Sequence, residues 1–168
     1  MFTAQKEWIN RIDWVNLKWN VLEKAKKGAY ASFLGLEIRK NLLTKDGYAW
    51  RAVAIGDCCM FLIKNQKIID SFPIKDSSLF GSMPSMLPSI STFNALGRYK
   101  IDVKEGKIKR GEIIILATDA LAKWIIQQSR ISRDLIFLDD TKLNLYFEEL
   151  IKNGKLKNDD ITFFRLIF

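Results

Sequence analysis

The chain has 168 residues, enough for one domain with a substantial core, and no apolar run long enough to span a bilayer or to act as a signal segment, so a single cytoplasmic domain over 1–168 is expected. Its hydrophobic fraction of 48%, with five Trp and eleven Phe, excludes disorder, and the absence of histidine excludes His-dependent triads, His-containing zinc sites and an imidazole acid/base. The excess of 27 Lys+Arg over 19 Asp+Glu gives a net charge of +8, which on charge alone favours acidic partners such as phosphoproteins or nucleic acid.

In chain order, Trp8, Ile12, Val15, Trp19 and Leu22 recur at helical spacing, and the stripe predicts one core-facing helix from about Ala4 to Lys26, ended by Gly28. Strands follow at about Ala29 to Ile38 and Tyr48 to Ile55, joined by an Asp46-Gly47 hairpin signal. A second hairpin turns at Asn65-Gln66 between Cys59–Ile63 and Lys67–Phe72, giving an antiparallel meander. Residues 73–98 hold all three prolines and many serines and are expected to form an irregular connection or flap. Next come a short strand at Tyr99 to Val103, a buried one at Ile113 to Ala117, and helices at Leu121 to Ser129 and about Leu143 to Asn153. The second helix is capped by Asp140 or Thr141 and closed by Gly154. The last strand, Ile161 to Phe168, is apolar on both faces with Arg165 its only charge, so a central position is expected for it.

Cys58 and Cys59 are adjacent and point to opposite faces of a strand, so no bridge or metal clamp follows from them. The basic sets Lys24/Lys26/Lys27, Lys107/Lys109/Arg110 and Lys152/Lys155/Lys157 sit beside turns or helix ends and read as solvated rims. With no DNA-reading helix and no basic-aromatic pattern, neither nucleic acid nor a membrane is expected as a partner.

The residues that carry chemistry are acidic. The apolar run of residues 113–117 ends at Thr118-Asp119, where a helix begins, and Asn158-Asp159-Asp160-Ile161-Thr162 precedes the last strand. If those strands are antiparallel neighbours, Asp119 and the Asp159/Asp160 pair converge, as an oxygen-only site for a hard divalent cation requires. Taken alone, Asp119 could equally be an N-cap, and Asp159/Asp160 a loop before a strand.

Four motifs in order extend this. Gly28-Ala-Tyr-Ala-Ser32 resembles a Gly-Ser-Thr-Ala strand opening, and Ala52-Val-Ala-Ile-Gly-Asp57-Cys58 a strand ending in Gly-Asp-Ser. Leu116-Ala-Thr-Asp119-Ala-Leu121 resembles Thr-Asp-Gly-Leu, and Asp159-Asp-Ile-Thr162 resembles Asp-Asn-Ile-Thr. Together they resemble the second half of the PPM (PP2C-like) family of metal-dependent protein serine/threonine phosphatases.

The resemblance implies an α+β fold, the PP2C-like α/β/β/α sandwich of two antiparallel sheets flanked by helices, here lacking the N-terminal strands and so leaving a sheet edge or core face uncovered. It also implies a hydrolase that uses Mg²⁺ or Mn²⁺ with a metal-bound water. Asp119 and Asp159 match metal ligands; Asp57 matches a strand-end aspartate that is more often structural than ligating in the family, and Asp160 stands where an asparagine is usual. The first-half acidic ligands have no counterpart in Met1 to Lys27, so the chain alone is expected to be inactive, with weak metal binding. Two readings remain: the C-terminal part of a phosphoprotein phosphatase, or a non-catalytic PPM-like module that binds a protein or phosphoprotein.

Overall fold

The computed structural model describes residues 2–40, 47–81, 84–90 and 99–168. Two short helices come first, α1 (Phe2–Arg11) and α2 (Trp19–Lys26), then strands β1 (Tyr30–Ala31), β2 (Phe33–Lys40), β3 (Tyr48–Ile55), β4 (Cys59–Lys64) and β5 (Lys67–Phe72). After a single 3-10 turn at Ser77–Leu79 follow β6 (Leu87–Pro88), β7 (Asp102–Ile108), β8 (Glu112–Ala117), α3 (Asp119–Gln127), α4 (Arg133–Phe137), α5 (Asp140–Lys152) and β9 (Phe163–Ile167). The fold is α+β, with antiparallel sheets ordered β2-β3-β7 and β5-β4-β8-β9, and a small β1-β6 ribbon.

Alternation along the strands builds two cores. From β3, Trp50, Ala52 and Ala54 meet Met60 and Leu62 of β4, Phe72 of β5 and Ile114 of β8, which closes the space between the two sheets. The opposite face of the four-stranded sheet presents Cys59, Phe61, Ile63, Ile115 and Ala117 to Leu121 and Ile125 of α3, Leu135 of α4, and Phe147 and Leu150 of α5. Burying a side chain such as Phe61 there is worth about 1.5–3 kcal/mol. A Cβ on Gly106 would lie 2.6 Å from the Trp50 ring, so glycine at that point of β7 is what lets the indole lie across its partner strand. Lys104 of β7 reaches Asp70 of β5, an ion pair that ties one sheet to the other.

Several expectations are corrected. The predicted Ala4–Lys26 helix is two helices, interrupted where the Asp13 carboxylate accepts from the Asn16 backbone N–H and side-chain amide and the Trp14 indole donates to the Ile9 carbonyl. The break destroys the stripe's phase: Val15 is 90% and Trp19 80% exposed, and among the described residues none of α1 or α2 joins either core. The Ala29–Ile38 strand divides at Ser32 into β1 and β2. The chain is not one meander, because it leaves the three-stranded sheet after Ile55 and enters the other at Cys59.

The Asn65-Gln66 turn is present, with φ of 50° and 62° suiting a type I′ hairpin. Lys40 faces Tyr48 as a β2–β3 hairpin demands, although Asp46 lies outside the described residues. The connection over 73–98 contains β6, which pairs with β1; residues 82–83 and 91–98 lie outside the described residues. The Tyr99–Val103 strand is β7, shifted toward the C-terminus, and α4 was not foreseen. The N-cap of α5 is Asp139, whose carboxylate accepts from the Lys142 N–H, while Gly154 at φ 67° ends that helix as expected. β9 is an edge strand and not a central one. Its two apolar faces contact the inter-sheet core and the helical layer; apolarity reports what lies above and below a strand and says nothing of its lateral neighbours. No helix among the described residues is long and apolar enough to cross a membrane.

Candidate functional site

The register of β4, β8 and β9 decides where the acidic residues arrive. Cys59 is opposite Ala117 and Ala117 is opposite Phe163, so the residues before β4, after β8 and before β9 share one end of the four-stranded sheet. Asp57 lies between β3 and β4 and follows Gly56, whose φ of 102° and 2.7 Å approach of a would-be Cβ to Ser32 leave no room for a side chain. Asp119 is the first residue of α3 and follows its N-cap, Thr118, so it is not the cap itself. In that first turn its negative charge lies at the positive end of the helix dipole.

Thr118 does not cap through its side chain, because the hydroxyl is committed elsewhere. It donates to the Asp160 carbonyl at 3.1 Å and accepts from the Thr162 N–H at 3.0 Å, while the Thr118 N–H donates to the Thr162 carbonyl at 3.2 Å. Three hydrogen bonds thus fasten the acidic loop ahead of β9 to the β8–α3 junction.

Electrostatics divide the cluster in two. Burial, and then the Asp119 carboxylate, push the Asp57 carboxyl above its ordinary range. Asp119 therefore sits close enough for its charge to oppose the ionisation of Asp57. Asp159 is held below the ordinary range by the Lys157 ammonium, with a further bond from the Asp160 N–H at 3.0 Å. Lys157 is raised in turn, first by Asp159 and to a smaller extent by Asp119. The ammonium is thus paired with Asp159 and acted on by the Asp119 charge, the two carboxylates that the resemblance marks as ligands. Beside them the Cys58 thiol is 3.1 Å from the Ser32 hydroxyl, and burial raises it, as it raises Cys59 to about 12, so neither is an activated nucleophile.

Asp57, Asp119, Asp159 and Asp160 therefore gather at one sheet end, yet each is used differently. Asp160 contributes its backbone to Thr118, and Asp159 its carboxylate to Lys157. Among the described residues no three carboxylates or thiols are placed to hold a metal ion. Mg²⁺ and Mn²⁺ require near-octahedral oxygen cages, and the donor set present, a mutually repelling Asp57/Asp119 pair with Asp159 bound by lysine, does not supply one. Sequence reasoning missed Lys157 in this role. Its signal was the Lys157-x-Asp159 spacing, hidden by reading the lysine as one of a solvated set. No protein-family model matches the chain, and neither does any curated protein or solved structure.

Proposed function

We propose that this chain is the C-terminal part of a PPM-type, metal-dependent phosphoprotein phosphatase domain, an α/β/β/α sandwich without its N-terminal strands and with an incomplete catalytic site. The observation that carries the reading is the arrival of Asp57, Asp119 and Asp159 at one end of one antiparallel sheet, in the order the resemblance requires. The substrate class is a phosphoserine or phosphothreonine protein, and the metal is Mg²⁺ or Mn²⁺ held with acidic ligands from a separate first half. No hydrolytic step is assigned to these 168 residues alone.

Mixing the chain with the first half of a PPM phosphatase tests this. Hydrolysis of a phosphothreonine peptide in Mn²⁺ is expected to appear, to vanish in Asp119→Ala and Asp159→Ala, and to persist in Asp57→Asn. A folded, stoichiometric complex that stays inactive replaces the enzyme with the second reading, a non-catalytic module that binds a protein or phosphoprotein. The Lys157–Asp159 ion pair favours that alternative, because a carboxylate already neutralised by an ammonium has less to offer a cation.

A further inference from the structure

Among the described residues the two main sheets end in four edge strands, and three of them are guarded. β2 carries Glu37, Arg39 and Lys40; β7 carries Lys104, Glu105 and Lys107; β5 carries Lys67 and Asp70, with a register irregularity against β4. Charges and bulges of this kind keep other strands from pairing with an edge. β9 has no bulge and a single charge, Arg165, whose guanidinium is turned to carbonyls of the helical layer: its sequence is Phe163-Phe-Arg-Leu-Ile167, and its ladder to β8 is regular.

The direction of its free groups follows from the register. The Thr118 N–H donates to the Thr162 carbonyl and the Phe168 N–H to the Glu112 carbonyl, so even-numbered residues bond β8. Phe163, Arg165 and Ile167 turn their N–H and C=O groups outward. Phe164 and Ile167 on either face of this edge are 53% and 59% exposed. At the centre, the Arg165 guanidinium donates to the Leu135 and Leu138 carbonyls, both at 3.0 Å, and lies 6.0 Å from the Phe163 ring centroid. Carbonyls orient that charge but do not neutralise it.

We propose that the β9 edge accepts an extended segment of another polypeptide as a fifth strand, apolar at alternate positions and carrying a carboxylate opposite Arg165. Three outward residues supply backbone bonds, Phe164 and Ile167 supply apolar cover, and Arg165 selects the charge. A second copy of this chain fits poorly, since the two-fold register that uses the whole strand sets Arg165 against Arg165 and brings +8 to +8. The inference is argued from the sheet edge, and it meets the phosphatase reading at one point, because the strands missing on that reading would leave such an edge uncovered.

The probe is a short end-capped peptide of alternating valine and threonine with a central glutamate, and a twin with a central lysine. Binding to the full chain is read by fluorescence anisotropy, and by amide exchange at Phe163, Arg165 and Ile167. The expected result is protection of those three amides, binding about tenfold weaker for the lysine twin, and loss of at least about tenfold in Ile167→Lys at unchanged melting temperature. Phe164→Lys serves as a second variant should Ile167→Lys unfold. Absent protection at millimolar glutamate peptide, equal binding of the twins, or a dimer that Ile167→Lys dissociates would each overturn the proposal.

Discussion

Two regions of this chain carry strong apolar patterns, and only one of them is buried. Along β8 and α3, Ile114, Ile115, Leu121, Ala122, Trp124 and Ile125 are enclosed by the second sheet on one side and the helical layer on the other. Along α1 and α2, Trp8, Ile12, Val15, Trp19 and Leu22 recur just as regularly, yet none is buried, and of the described side chains of the two helices only that of Gln5 is. A helical period states which residues share a face; burial needs a second surface at the right distance. β8 has such surfaces in the facing sheet and in the helical layer, whereas among the described residues the N-terminal arm places none in either core.

The contrast breaks if truncations in the two regions cost alike. Phe61→Ala opens a cavity beneath the helical layer at a fully buried position and is expected to lower unfolding free energy by about 3–5 kcal/mol in denaturant titrations. Trp19→Ser is expected to change it by no more than about 0.5 kcal/mol, because 80% of that residue is already in water. Equal losses would mean that the arm closes over the sheets in solution. Gly106→Ala sharpens the same point from the other direction, by overpacking. Its new Cβ meets the Trp50 ring at 2.6 Å, and a cost of about 1–3 kcal/mol with altered tryptophan fluorescence is expected.

Legibility in the sequence follows the same divide. Strands with hydrophobic alternation and clear turn chemistry were placed within a few residues: β3, β4, β5 and β8, the Asn65-Gln66 turn, and the Gly154 stop. The edge position of β9 was not legible, because lateral neighbours depend on strand order, which apolarity on two faces does not encode. Nor was the helix break, which local bonds of Asp13 and Trp14 impose against a favourable period. At the candidate site the convergence of Asp119 with Asp159 and Asp160 could be read from strand-end chemistry, whereas the arrival of Asp57 at the same end follows only from the sheet order. The Lys157 counter-charge could not, since it depends on how a loop folds back on itself.

That loop is anchored by the Thr118 hydroxyl, and Thr118→Val removes both of its bonds while keeping the shape. Because the released Asp160 carbonyl and Thr162 N–H can find water, the expected cost is about 1 kcal/mol, with faster amide exchange at Thr162. Unchanged exchange there would show that the single backbone bond from Thr118 to Thr162 is enough to hold the loop.

The smallest effect bears most directly on the site. Asp57 has its folded-state pKa raised, first by burial and then by Asp119, so the folded protein holds this proton more tightly than the unfolded chain does. The sign follows: below the ordinary carboxylate value both states are protonated and nothing is lost, while as pH rises through that value toward the raised one a penalty develops and then stays constant. Asp57→Asn removes the charge and should therefore stabilise the protein at neutral pH. After discounting for solvent screening at a half-exposed position, the gain is about 0.5 kcal/mol, or roughly 1–2 °C in Tm, and it should fade in acid below the ordinary carboxylate range. Asp119→Asn should deliver part of that relief through the second cause alone. If Asp57→Asn instead destabilises the fold equally at neutral and acid pH, the carboxylate makes favourable contacts that outweigh its burial, and the repulsion between the two strand-end acids is not what sets the stability of this end of the sheet.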